Sequence, residues 1–363
     1  MIPWWKVDLG PQAPAAVAAA VADRRISLGP LVAEFERRLA TLLEVPHVVA
    51  TTSGTTALTL ALMEAGVGPG DEVIVPNRTW IATAHAAHTL GATVVLAEVE
   101  AERPLLDPEA CARAITARTR AIVPVHLNGR IGALEPVLEL ARRHRLAVVE
   151  DAAQALAVRG TDGRFLGTCG RSGGFSLSVA KLITSGQGGF VATRDDEVAR
   201  RLRLMRTHGT ADVVDASWLM AGTNVRFTDL QAALALTQLD LLPARIAGVL
   251  RVWRQYADGW TGIAHATLLP ARPDLGELPI YVECQCPRRA GLMAHLAAAG
   301  IQTRPMYPDL HRAPQFAARN PGPYPRSRRF GEDCLVLPCG PDQDPADIAR
   351  VLQALRAWRP EGP

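Results

Sequence analysis

Phe175-Ser176-Leu177-Ser178-Val179-Ala180-Lys181-Leu182-Ile183-Thr184-Ser185-Gly186-Gln187-Gly188-Gly189 sets one lysine between an apolar run and a glycine-rich return. Lysine is scarce elsewhere: of 39 basic residues only Lys6 and Lys181 are lysines. GC-rich coding accounts for the excess of arginine but not for the lysine kept here. Arginine replaces lysine in surface ion pairs, yet it cannot form a Schiff base. An amine is needed at position 181.

Outward from that stretch, short apolar runs alternate with helical patterns. The strand candidates are 45–51, 72–76, 93–99, 121–127, 146–150, 174–178 and 190–193. Most are rich in Val and Ile and apolar nearly throughout, as strands covered on both faces are. Helical spacing fills 55–64, 79–89, 108–115 and 133–144 between them. The alternation predicts an α/β domain with a mostly parallel central sheet flanked by helices. Ligands in such domains collect at the carboxyl ends of strands and the helix N-termini that follow. Residues 229–253 read as one long helix or two, interrupted near Pro243. Pro and Gly then become frequent, and a smaller α+β unit is expected, with helices at 291–300 and 345–358. The expected division is 1–244 for the large domain and 245–363 for the small one.

Composition excludes several classes. A net charge of +3 without a basic block argues against a nucleic-acid surface. The six cysteines lack the spacing of a zinc site, so no metal is expected, and free thiols in a cytoplasmic protein fit best. The opening Met1-Ile-Pro-Trp-Trp-Lys6 lacks the order of a secretion signal, and no apolar run is long enough to span a bilayer.

Four segments carry chemistry. Thr51-Thr-Ser-Gly54-Thr55-Thr56 follows a strand and opens a helix, so its N–H groups and hydroxyls make either a phosphate cradle or a plain N-cap. Leu146-Ala-Val-Val-Glu150-Asp151-Ala-Ala-Gln154 ends an apolar strand with a carboxylate. A buried Asp151 needs a cation, such as a protonated pyridine nitrogen, unless it caps a following helix. Ser176 and Lys181 are spaced to reach the phosphate and the aldehyde of one small molecule. Trp80, after the strand ending at Pro76, either lies against an aromatic cofactor or is core. Together these residue types point to pyridoxal phosphate.

The order and spacing of the motifs resemble the DegT/DnrJ/StrS family of sugar aminotransferases, a branch of the aspartate-aminotransferase fold. The likeness runs from about Gly29 to the C-terminal helix. It rests on Ser53-Gly-Thr-Thr-Ala-Leu58, Thr79-Trp80, Val125-His126-Leu, Glu150-Asp-Ala-Ala-Gln154, Ser176, Lys181, His208-Gly209, Gly222-Thr-Asn224-Val-Arg226 and Met306-Tyr307-Pro-Asp-Leu-His311. The resemblance implies that Lys181 binds the cofactor covalently and then moves the proton during transamination. It implies that Asp151 pairs with the pyridine nitrogen, Gln154 with the ring's phenolic oxygen, and Trp80 with the ring face. Thr55, Thr56 and Ser176 hold the phosphate by the same resemblance, and Asn224 reaches the cofactor of a neighbouring subunit in a homodimer. Candidate substrate residues are His126, Asn128, Arg130, Arg226, Tyr307 and His311.

Two departures stand out. Gln187 occupies a position where relatives commonly carry Glu, and Asn128-Gly-Arg130 replaces an aromatic and a glycine. That loop is expected near the substrate, with Arg130 either pairing with a substrate anion or simply at the surface. The expected activity moves an amine from glutamate or glutamine to a keto-sugar nucleotide, with a keto-cyclitol as the alternative acceptor. A silent pyridoxal-phosphate-binding regulator is the alternative of another class. A nucleotide-dependent reductase is disfavoured, since no Gly-x-Gly-x-x-Gly follows the early strands.

Overall fold

The computed structural model describes residues 1–214 and 217–360. Residues 215–216, and the last three of the expected second domain, lie outside the described residues. Seven strands form the larger sheet: β1 (His47–Thr51), β2 (Glu72–Pro76), β3 (Thr93–Ala97), β4 (Thr119–Ile122), β5 (Ala147–Asp151), β6 (Ser172–Ser176) and β7 (Gly189–Thr193). Their order is β1-β7-β6-β5-β4-β2-β3. Neighbours from β3 through β6 pair parallel, whereas β7 is antiparallel to both β6 and β1. All strands but β7 therefore point the same way, and their carboxyl ends share one edge.

Both faces are covered. Helices Gly54–Glu64 and Asp196–Arg206 lie against β1, β6 and β7, and Pro30–Leu43 packs against β1. β2, β5 and β7 are almost wholly buried, which explains their continuous apolar runs. The expected strand 121–127 ends at Ile122 because Pro124 has no N–H to give the ladder. No helix follows β5 among the described residues: turns carry the chain from Asp151 to β6. The helix expected at 79–89 begins only at Ala82, leaving Trp80 in the loop before it.

Helices Asp229–Asp240 and Leu242–Gly259 meet at 62°, with Pro243 in the first turn of the second, where its missing N–H costs nothing. Among the described residues no single helix is long and apolar enough to cross a membrane. Beyond it come β8 (Thr267–Leu268), β9 (Val282–Gln285), β10 (Arg304–Pro305) and β11 (Cys334–Leu337), in the order β10-β11-β9-β8. The N-terminal residues run along this second sheet, Ile2 bridging Ile301 and Trp5 bridging Cys339. One buried apolar cluster joins Phe175 and Phe190 of the large sheet to Val282 and Leu337 of the small one.

Candidate active site

A cavity of about 570 Å³ lies where the carboxyl ends of β1, β5 and β6 meet β10. At β1, Ser53 caps the helix Gly54–Glu64 by accepting from the Thr56 N–H, and the Thr56 hydroxyl accepts from the Ser53 N–H at 2.9 Å. The strand β6 passes directly beneath. A Cβ on Gly54 would sit 2.8 Å from the Ser176 Cβ, so only glycine lets the helix end approach Ser176. Thr55, Ser176 and the first helical N–H groups thus face one concave spot, the kind of cradle an anion occupies.

At the end of β5, Asp151 is buried. It accepts from the Thr83 hydroxyl at 2.7 Å and the Ala153 N–H at 3.0 Å. Among the described residues no cation lies within ion-pair distance of it. Burial pushes its carboxyl up, against the pull of those hydrogen bonds and the Lys181 charge. Such a carboxylate calls for a cationic partner placed in the cavity.

Lys181 follows β6 on a turn anchored by buried Leu182 and Ile183. Burial pushes its amine down to about 8, with Asp151 opposing. The Tyr281 hydroxyl donates to the Ala180 carbonyl at 2.7 Å, so β9's approach fixes the lysine's backbone. Gly188, at φ +154°, has the Phe227 ring where a Cβ would stand, and this lets the return loop close.

Trp80 is 55% exposed, not core, and its ring meets Tyr307 edge-on with centroids 5.2 Å apart. Gln154 donates to the Tyr307 hydroxyl at 3.2 Å. Thr55, Trp80, Asp151, Gln154, Ser176, Lys181, Tyr307 and Gln187 all line the cavity.

Other expected residues stand apart from it. The Thr56 hydroxyl is engaged in the capping box rather than turned to the cavity. His126 is buried against Glu150 at 2.7 Å. His311 is held by Asn77, its N–H donating to the Asn77 Oδ1 at 2.9 Å. Asn224 is exposed and accepts from Arg226 at 3.0 Å, outside this chain's cavity.

The Asn128-Gly-Arg130 loop requires a correction. Asn128 and Arg130 are buried, and neither lines the cavity. The Asn128 amide bonds the Tyr281 carbonyl and Glu283, and its Oδ1 accepts from the Tyr281 N–H. Arg130 pairs with the same Glu283 at 2.5 Å. The loop is a clip between β4 and β9: Asn128 sits at φ +56°, and a Cβ on Gly129 would strike the Leu278 carbonyl. It touches the site through Tyr281, which lines the cavity, and through the Asn128 N–H donating to the Gln154 Oε1 at 2.7 Å, which leaves the Gln154 amide hydrogens for the cavity side.

Sequence reasoning missed Thr83, Tyr281, Arg304 and the N-terminal Trp4 and Trp5. Thr83 had a signal: it stands four residues after Thr79, and the two hydroxyls are 3.0 Å apart.

Fold and site define a class, the α/β aminotransferases built on a mostly parallel seven-stranded sheet. Within it, this chain belongs to the DegT/DnrJ/EryC1/StrS aminotransferase family, whose model matches residues 8–356. It is 38% identical over 355 residues to a dTDP-3-amino-3,4,6-trideoxy-alpha-D-glucose transaminase of Streptomyces venezuelae, covering 97% of this chain and 93% of the relative. It is 37% identical to a GDP-perosamine synthase of Caulobacter vibrioides, covering 91% and 90%. The crystal structure of S. venezuelae DesV with a ketimine intermediate superposes with a TM-score of 0.92 at 37% identity, covering 98% of each chain.

Proposed function

We propose that this enzyme is a pyridoxal-phosphate-dependent aminotransferase that carries an amino group from glutamate or glutamine to the keto group of a sugar nucleotide. One observation carries the reading: Asp151, buried with no cation within ion-pair distance among the described residues, shares a cavity with Lys181 and with the cradle at Thr55 and Ser176. When bound, pyridoxal phosphate supplies the aldehyde and an electron sink. Asp151 would hold a proton on the pyridine nitrogen, and Gln154 would donate toward the phenolic oxygen. Ser176, Thr55 and the helix N–H groups would take the phosphate, and Trp80 would cover the ring and exclude water. Lys181, with its amine brought near neutrality, is suited to bind the aldehyde and afterwards to carry the proton between carbon atoms.

The sugar-nucleotide acceptor rests on the two named relatives, both of which are named for nucleotide-linked amino sugars. In the same reading the chain works as a homodimer, with Asn224 and Arg226 reaching the neighbouring subunit's site; the exposed Trp218 and Leu219 nearby suit a covered surface. It divides into units 1–244 and 245–363, and it works in the cytoplasm, in keeping with six free cysteines. Adding L-glutamate to the pyridoxal-phosphate-loaded protein should convert the cofactor's absorbance to that of its aminated form. A panel of keto-sugar nucleotides and keto-cyclitols should then discharge it. An unchanged spectrum with both amino donors would defeat the reading, and discharge by a cyclitol alone would replace the acceptor.

A further inference from the structure

The residues lining the cavity include two cations, Lys181 in its depth and Arg304 at its rim. Arg304 is exposed where β10 begins, and its guanidinium lies over the Trp4 indole, 4.2 Å from the ring centroid. Other arginines at or behind the site have carboxylates: Arg78 pairs with Asp309, Arg130 with Glu283 and Arg206 with Glu36. Among the described residues Arg304 has none. Its fork is held in place by an aromatic plate and left open on the cavity side.

The plate is itself fixed. The Trp4 carbonyl accepts from the Cys339 N–H at 2.8 Å. Its ring lies 6.0 Å from Trp5 and 6.2 Å from Tyr281, the residue that holds the Ala180 carbonyl beside Lys181. Stacking on an indole restrains a guanidinium without neutralising it. An arginine so restrained loses less freedom when it binds an oxyanion, and it binds phosphate through two parallel N–H groups.

Position selects which oxyanion. An amino donor carries its α-carboxylate on the carbon that bears the reacting amine, so that group must sit deep, beside Lys181. The diphosphate of a sugar nucleotide hangs from the far side of the sugar ring, a ring's width from the reacting carbon. A rim arginine matches the second. We propose that Arg304, presented by Trp4, is a specificity-determining residue that grips the acceptor's diphosphate, making Trp4 and Trp5, which line the same cavity, part of the acceptor site. This inference rests on the sugar-nucleotide reading given above.

The test separates the two substrates. Holoenzyme is titrated by calorimetry with dTDP, UDP and GDP, while the donor step is followed separately by cofactor absorbance on adding L-glutamate. The wild-type protein should bind at least one nucleotide. Arg304→Gln should weaken that binding about tenfold or more, Arg304→Lys should recover part of the loss, and the glutamate step should change far less. Equal nucleotide binding by Arg304→Gln and wild type would overturn the inference and leave the function standing. So would a loss confined to the glutamate step, which would give Arg304 to the donor's carboxylate. A wild-type protein that accepts amine from glutamate but binds none of the three nucleotides would sink the acceptor reading and this inference together.

Discussion

Glu150 and Asp151 are adjacent in sequence and both buried, yet they leave β5 on opposite sides and meet opposite surroundings. Burial alone would raise Glu150, but the His126 ring and the N–H groups of Gly167, Cys169 and Gly170 satisfy it and hold its carboxyl below the ordinary range. Asp151 has a threonine hydroxyl and one N–H, and burial wins. The Glu150 side is complete within the chain, and in the clip Arg130 and Glu283 neutralise each other, although the buried Arg130 Nη1 has no hydrogen-bond partner. The Asp151 side, with Lys181, is complete only with a ligand. A buried charge that meets its counter-charge within the chain reports on folding; one left without it reports on function.

That contrast can be broken by exchanging costs. Lys181→Ala should lower turnover by roughly a thousandfold or more while leaving the melting temperature of the ligand-free protein unchanged or higher, since a buried amine is lost. Sustained turnover in single-residue replacement would mean that the lysine is not the reacting group. Arg130→Ala should do the reverse. It leaves the buried Glu283 without its counter-charge, so denaturant unfolding should show a loss of about 3–5 kcal/mol, with kcat in the folded fraction within a few-fold of wild type. A thousandfold fall in kcat in a stable Arg130→Ala protein would return that loop to the substrate site. Asp151→Asn sharpens the comparison, because it keeps the shape and removes the charge. Turnover should fall by about a hundredfold with little change in stability, whereas Glu150→Gln should cost about 2 kcal/mol of stability and little turnover.

The legible part of the molecule was the part built from local pattern. β2 has the expected bounds, and β1, β5, β6 and β7 fall within three residues of theirs, because strands covered on both faces are mostly apolar runs whatever their direction. Lys181, Asp151, Ser176 and Thr55, expected together because strand ends in such sheets are where ligands go, line one cavity. The Asn128-Gly-Arg130 loop could not be read, since what fixes it is Glu283, more than 150 residues later in the chain. A buried arginine and a substrate-binding arginine look alike until the partner is seen. Trp4 and Arg304 were invisible for the same reason: their contact joins the first residues to β10. The Thr56 hydroxyl serves the cap in this structure, and a capping hydroxyl and a phosphate-binding hydroxyl occupy the same motif.

The smallest effect concerns protons, and it tests whether Asp151 and Lys181 act as one unit. An amine with its pKa brought down to about 8 is charged below that pH in the folded protein and neutral above it. Only the neutral amine attacks an aldehyde. Capture of added pyridoxal phosphate by the ligand-free protein should therefore rise about fiftyfold from pH 6 to pH 8 and less than about twofold from pH 8 to pH 9. An ordinary lysine would keep accelerating about tenfold per unit to about pH 9 and would level off only above about pH 10. Burial lowers the amine and the Asp151 charge raises it, so Asp151→Asn removes the opposing influence and should move the midpoint below 8. A midpoint that stays where it was would show that the two groups titrate independently, and the pairing of a poised acid with a poised base would reduce to their sharing a cavity.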